Sequence, residues 1–333
     1  MGYEFVTYRP ELKEGICALQ AHLWRARPPV NLAYFEWKYE SNPYTDGPVI
    51  HIALHEGVVV GMRGAFGARW KDGDGHMIDI PCAGDTVVDP AHRRRGLVTE
   101  LTHRFLADLA ARRIRYVLNL SAAEITYRHY LKMGWRTAGP LDQWSSPPGY
   151  AASPERSTRV FIKETARPEA MAALVARARL DGRVRHVRDE EYFAWRFTNP
   201  RRHYRFLFYG DDESLEGYLV LQTWGVNSKV VNVVDWCAPD AAIAAELFEA
   251  AAHEERQRRL LIHSSPLGSA VKTTLERAGF KDEAMPRGEA CELPAVLVRA
   301  VDDSLPIAKW TLSGRPILNL ESWQIRTIDS DAG

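Results

Sequence analysis

The chain repeats itself. Tyr34-Phe35-Glu36-Trp37-Lys38-Tyr39, followed by Asn42-Pro43, returns as Tyr192-Phe193-Ala194-Trp195-Arg196-Phe197, followed by Asn199-Pro200. From Tyr34/Tyr192 to Tyr39/Phe197 the matched pairs are 158 residues apart, and the Asn-Pro pairs are 157 apart. Spacing of that size means one supersecondary plan used twice. The 333 residues agree with two units of roughly 150 each. With 46% hydrophobic residues, there is enough apolar material for two cores.

The first copy reads as follows. Tyr3 to Tyr8 alternates like a strand and ends at Arg9-Pro10. Leu12, Ile16, Leu19 and Leu23 then keep a helical beat. Asn31 is a candidate cap for a second helix, which Asn42-Pro43 breaks. Val49 to His55 and Val58 to Phe66 form a hairpin about Glu56-Gly57, and Met77 to Val88 is the next strand. A helix starting near Arg94 carries Leu97, Leu101, Phe105 and Leu109 on one face. Tyr116 to Leu120 is a short buried strand, and Ala122 to Met133 a further helix. The second copy gives the same order, from Arg159 to Gly279-Phe280. The expected division is therefore a first domain over 1–143, a Pro/Ser/Ala linker over 144–157, a second domain over 158–300 and a docked tail over 301–333.

The turn after Val88 carries the chemistry. Pro90 stops the strand because proline lacks a ladder N–H. His92-Arg93-Arg94-Arg95-Gly96-Leu97-Val98 then leads into the helix. First-turn amides of a helix have no internal partners and lie at the positive end of its dipole. Gly96 allows close approach of a ligand to the backbone, and three arginines add positive charge. Together these make a site suited to a pyrophosphate.

This turn resembles motif A of the GNAT acetyltransferase superfamily, Gln/Arg-x-x-Gly-x-Gly/Ala after a strand, with Arg93 and Gly96 in the first two places. Val98 departs from the small residue expected third. Tyr130-x-Lys132-x-Gly134-Trp135 resembles the family's Tyr-x-Lys-x-Gly-Phe ending at the usual distance. The resemblance implies an α/β (α+β) protein of two tandem GNAT folds, each a mixed, mostly antiparallel twisted sheet flanked by helices. It also implies acetyl-CoA as co-substrate. Thr86, Val87, Val88, Arg93, Arg94, Arg95, Gly96, Leu97 and Val98 would hold the cofactor, with Asn119 on its pantetheine arm.

The same resemblance assigns roles in catalysis. Tyr130 takes the place of the acid that protonates the leaving thiolate. A backbone amide near Thr86 to Val88 stabilises the carbonyl oxygen. Asp85 is the first candidate for base or amine binder, and Trp24, Arg25 and Arg27 border the acceptor. Tyr34, Phe35 and Trp37 read instead as packing, because the second copy repeats them.

The second copy loses the site. After Asp235-Trp236-Cys237-Ala238-Pro239 it runs Asp240-Ala241-Ala242-Ile243, with neither arginines nor glycine. Asp240 suits the helix dipole but repels a pyrophosphate. Leu275 stands where the first copy has Tyr130. The second copy is expected to be degenerate, packing on the first and walling its acceptor site.

Composition excludes other classes. Lys plus Arg and Asp plus Glu are 43 each, so bulk charge supports neither a nucleic-acid nor a membrane-surface partner. No apolar run nears the ~20 residues of a membrane span. The start of the chain has no signal-peptide shape. Cys17, Cys82, Cys237 and Cys291 have no metal or redox spacing, so no metal and a reduced, cytoplasmic setting are the expectation.

The resulting expectation is transfer of an acetyl group to a small primary amine. The ending Ser322 to Asp331 resembles that of two-domain GNAT proteins near polysaccharide gene sets. It points to an amino sugar, free or nucleotide-linked, as first acceptor. Transfer to a protein lysine or N-terminus, and a non-catalytic CoA-binding or interaction module, are the alternatives. A homo-oligomer stays open.

Overall fold

A computed structural model describes residues 2–24, 27–121, 124–150, 157–178, 181–211, 213–225, 228–283 and 295–331. Two seven-stranded sheets form its centre. The first runs Glu4–Thr7, Val49–His55, Val58–Phe66, Cys82–Val88, Tyr116–Asn119, Ala295–Ala300, Arg136–Pro140. The second runs Val160–Lys163, His203–Gly210, Leu215–Thr223, Val230–Cys237, Arg259–Ser264, Asp142–Ser146, Lys281–Asp282. Each has one parallel pair at its centre, Cys82–Val88 with Tyr116–Asn119 and Val230–Cys237 with Arg259–Ser264. The other neighbours are antiparallel.

The copies trade strands, which corrects the expected boundaries. Asp142–Ser146, assigned to the end of the first domain and the linker, pairs with Arg259–Ser264 in the second sheet. Ala295–Ala300, assigned to the second domain, pairs with Tyr116–Asn119 and Arg136–Pro140 in the first. An apolar run states that it needs a sheet, but not which one. Arg299 of the returning strand packs across Gly134, whose φ of 84° already favours glycine.

Among the described residues, eight α-helices flank the sheets. In the first copy these are α1 (Lys13–Trp24), α2 (Pro28–Phe35), α3 (Leu97–Ala111) and α4 (Glu124–Lys132). The second copy has α5 (Pro168–Arg177), α6 (Glu190–Arg196), α7 (Ala241–Glu254) and α8 (Ser269–Arg277). Helix α2 begins at Pro28, not after Asn31, because two prolines suit its first turn. It continues into a wider turn over Glu36–Glu40. Met77 to Val88 is two strands, since Pro81 interrupts the ladder. Helix α3 starts at Leu97, three residues later than expected, after left-handed residues at Arg94 and Gly96.

The halves are joined by an aromatic core. Tyr34, Trp37 and Tyr44 cluster with Tyr192, Trp195, Phe206 and Ile328. In the tail, Trp310, Leu312, Ile317, Trp323, Ile325 and Ile328 are buried. Trp323–Gln324 pairs with Val184–His186, which pairs with Arg69–Lys71.

Candidate active site

Asp89 accepts a bond from the Ala91 amide at 2.8 Å and starts the turn. Arg93 Nε donates to the Val88 carbonyl at 3.2 Å. Arg95 donates to Tyr3 Oη at 3.0 Å and to the Ala91 carbonyl at 3.3 Å. Gly96 has φ 76° and caps α3 without a side chain, and a Cβ there would meet nothing within 4 Å. The first-turn amides of α3 therefore open onto free space.

That space is a cavity of about 350 Å³. Thr86, Val87, Val88, Arg93, Arg94, Gly96, Leu97 and Val98 line it, joined by His22 and His129. Of the expected cofactor residues only Arg95 and Asn119 are absent from its wall. Arg95 is spent on Tyr3 and Ala91. Asn119 is buried, donates to the Ala83 carbonyl at 2.8 Å and accepts from the Ser121 amide at 3.1 Å. Both ends of its side-chain amide have a partner, so it pins two strands. Those strands share one paired position, Cys82 with Leu118, and then part. Val98 is half-buried and packs partly on the core of Ala53, Val88 and Leu101.

Tyr130 stands behind Thr86. Its hydroxyl lies 3.2 Å from Thr86 Oγ1, and its ring stacks on Trp135 at 4.9 Å. Arg63, from the strand Val58–Phe66, donates to Thr86 Oγ1 at 2.5 Å and to Tyr130 Oη at 2.6 Å. The guanidinium is fully buried and lies over the rings of Phe105, Tyr130 and Trp135 at 5.0, 4.9 and 5.8 Å. No carboxylate pairs with it among the described residues. Sequence reasoning missed Arg63. The lone cation in the otherwise apolar run Val58 to Phe66 was the available signal.

Asp85 does not fit the expected role of base. It sits in the left-handed region at φ 43°, with its side chain wholly buried. One oxygen accepts from Tyr39 at 2.6 Å and Gln20 at 2.9 Å, and the other pairs with Lys38 at 2.9 Å. Lys38 also pairs with Asp331 of the tail at 2.6 Å. Burial alone would lower the Lys38 pKa, but Asp331 and Asp85 overcome it and hold the ammonium well above its ordinary range. Burial would likewise raise Asp331, and Lys38 holds it below the ordinary carboxylate range. A carboxylate committed to this network is a structural group; geometry precedes basicity in choosing a base.

Among the expected acceptor residues, Trp24 is half-buried at the end of α1 and meets Tyr34 edge-on at 5.6 Å. Arg27 is exposed before α2. Arg25 lies outside the described residues. One group of metal-ligand type, Asp72, Asp74 and His76, lies together on a hairpin. Asp72 is spent there accepting from the amides of Asp74 and His76 and from Ser313.

In the second copy the matching helix start is closed. Asp240 accepts from the amides of Ala242 and Ile243 at 2.9 and 3.0 Å and closes the start of α7. Its own bulge aspartate, Asp235, is paired to Arg188 and Arg326 and bonded by Tyr218.

Residues 7–138 match the acetyltransferase (GNAT) domain family. Among solved structures, a GCN5-related N-acetyltransferase from Anabaena variabilis is similar at 14% identity and TM-score 0.66, over 90% of this chain and 73% of its own. A probable N-acyltransferase from Enterococcus faecalis is similar at 14% identity and TM-score 0.68, again over 90% and 73%. A tandem GNAT protein of clavulanic acid biosynthesis is similar at 14% identity and TM-score 0.55, over 91% of this chain and 100% of its own. At these identities the likeness is one of fold, and the last extends it to the tandem arrangement. No curated protein sequence matches the chain. Among the described residues, no helix is long and apolar enough to cross a membrane.

Proposed function

We propose that the chain, whose residues 7–138 match the acetyltransferase (GNAT) domain family, is an acetyl-CoA-dependent N-acetyltransferase with one working site, in its N-terminal copy. The acceptor is a small primary amine, with an amino sugar, free or nucleotide-linked, as the first class to try. One observation carries this reading. The left-handed Gly96 turn leaves the start of α3 open onto a lined cavity, whereas Asp240 closes the matching helix start of the second copy.

Coenzyme A supplies a thioester whose acyl carbon the amine attacks directly. The amides of Leu97, Val98 and Thr99 would hold its diphosphate, with Arg93 and Arg94 beside them. Holding the thioester beside the parted strands removes the entropic cost of meeting the amine. An amide of Thr86 to Val88 would donate to the carbonyl oxygen as charge builds there. As the carbon–sulfur bond breaks, Thr86 Oγ1 gives its proton to the sulfur and takes one from Tyr130. Arg63, bonded to both oxygens, stabilises the phenolate that remains. The amine loses its proton to water, since Asp85 is committed to Lys38, Gln20 and Tyr39.

A thermal shift with acetyl-CoA, followed by thiol release with a panel of amines, tests the reading. Stabilisation with turnover supports it. Stabilisation with no turnover on any amine supports the binding module instead. No stabilisation at millimolar acetyl-CoA overturns both.

A further inference from the structure

Arg201 reaches the first copy's acceptor side from the second. It follows α6 in a turn held by Asn199, whose Oδ1 accepts from the Arg201 amide at 3.0 Å. Its guanidinium lies 4.4 Å from the Trp24 ring and 4.9 Å from that of Tyr34. Among the described residues no carboxylate pairs with it. Its Nη1 is buried without a hydrogen-bond partner, and so is the Trp24 indole Nε1 beside it. Arg202 turns elsewhere, onto Trp224 at 3.5 Å.

Two buried donors in one aromatic cage, one of them charged, lack an acceptor. Buried donors are almost always satisfied, so such a pair marks a place where another molecule supplies the oxygen. A guanidinium bonds an oxyanion more strongly than a neutral carbonyl. The cage also lies near the chemistry. Trp24 is one helical turn beyond Gln20, which holds Asp85, and Asp85 precedes Thr86 on the cavity wall. Lys38 is 5.7 Å from the Trp24 ring, but its charge is already met by Asp85 and Asp331.

We propose that Arg201 and Trp24 form the anion-gripping end of the acceptor site. The acceptor is then an amine that carries a phosphate or carboxylate group remote from its reacting nitrogen. This rests on the acetyl-transfer reading above and gives the second copy a direct part in substrate choice. The cation comes from one copy and the indole from the other, so the grip exists only when both are packed together.

The test combines binding with selectivity. The indole N–H resonance of Trp24, identified by its loss in Trp24→Phe, is followed while inorganic phosphate is added. It is expected to move in the wild-type protein and in Arg201→Lys, and to stay still in Arg201→Gln. In parallel, acetyl transfer is measured with glucosamine 6-phosphate and glucosamine. The wild-type kcat/KM ratio should favour the phosphate by about tenfold or more, the usual worth of one charge-assisted bond, and Arg201→Gln should bring it near one. An unmoved resonance, or a ratio that Arg201→Gln leaves unchanged, overturns the proposal. A moving resonance with no turnover on any amine sinks the acetyl-transfer reading and leaves the anion site standing.

Discussion

Trp37 and Trp195 stack face to face, 4.8 Å apart and 4° from parallel. Each indole N–H donates to the other residue's carbonyl, at 3.0 and 2.7 Å. They are equivalent residues of the two copies, so the pair marks a local two-fold relation between the halves. A motif that looks functional because it recurs is here the seam.

Removing either partner should therefore loosen the whole molecule. Trp37→Ala and Trp195→Ala should each cost about 3–5 kcal/mol, the usual range for a buried tryptophan. The double variant should cost less than the two together, because they share one contact. Urea denaturation of the three variants checks this; fully additive losses would argue against a shared seam.

Gly96 should matter to binding and little to folding. Gly96→Val strains a residue at φ 76° and fills space that is otherwise open. The added side chain takes the space a diphosphate would occupy and should raise the Kd for acetyl-CoA roughly tenfold or more, while left-handed strain of about 1–2 kcal/mol falls on stability. Calorimetric titration measures it, and the melting temperature should move only a few degrees.

Arg63 should act through Tyr130. Tyr130→Phe should lower kcat by about 10²–10⁴, the range of a lost general acid. Arg63→Met should lower it by about 10–100-fold with the Kd for acetyl-CoA little changed. Adding Arg63→Met to Tyr130→Phe should bring no comparable further loss, since the phenolate it stabilises no longer forms. Independent losses in the double variant would separate the two residues.

Lys38 is the keystone of the tail. Lys38→Met leaves Asp85 and Asp331 facing each other in the core, and breaking such a buried pair costs about 3–5 kcal/mol. Asp331→Asn should cost less, because Asp85 still holds the ammonium. Limited proteolysis should release the tail first in Lys38→Met.

Acid should weaken the fold through His186. Burial pushes its pKa down to about 4; Arg188 and Arg196 add to this, while Asp329 and the Val187 carbonyl oppose it. Its ordinary value is 6.5, so the unfolded chain takes the proton first as pH falls. Stability from this group is whole above 6.5 and is lost progressively down to about 4, by about 3 kcal/mol in all. Urea midpoints at several pH values should show that slope, and His186→Gln should flatten it.

Local pattern was enough for a good part of this. Strands Val49–His55 and Val58–Phe66, the helical face of Leu97 to Leu109 and the basic Gly96 turn are written in short windows, where periodicity and φ preference act directly. The loss of that turn at Asp240 is equally local. So the duplication, and the inequality of its two halves, were legible in the chain itself.

What the sequence could not carry was partnership over distance. Nothing near Asp142 or Ala295 states which sheet each strand will join, because an apolar strand fits either edge and the two copies offer similar ones. Lys38 meets Asp331 across 293 residues, and Arg63 meets Tyr130 across 67. Asp85 looked like a base until folding surrounded it, since a carboxylate's role is set by what shares its low-dielectric surroundings. The chain alone determined that there are two copies and where the basic glycine turn lies. Tertiary packing decided which charges are buried together, and so which remain free for chemistry.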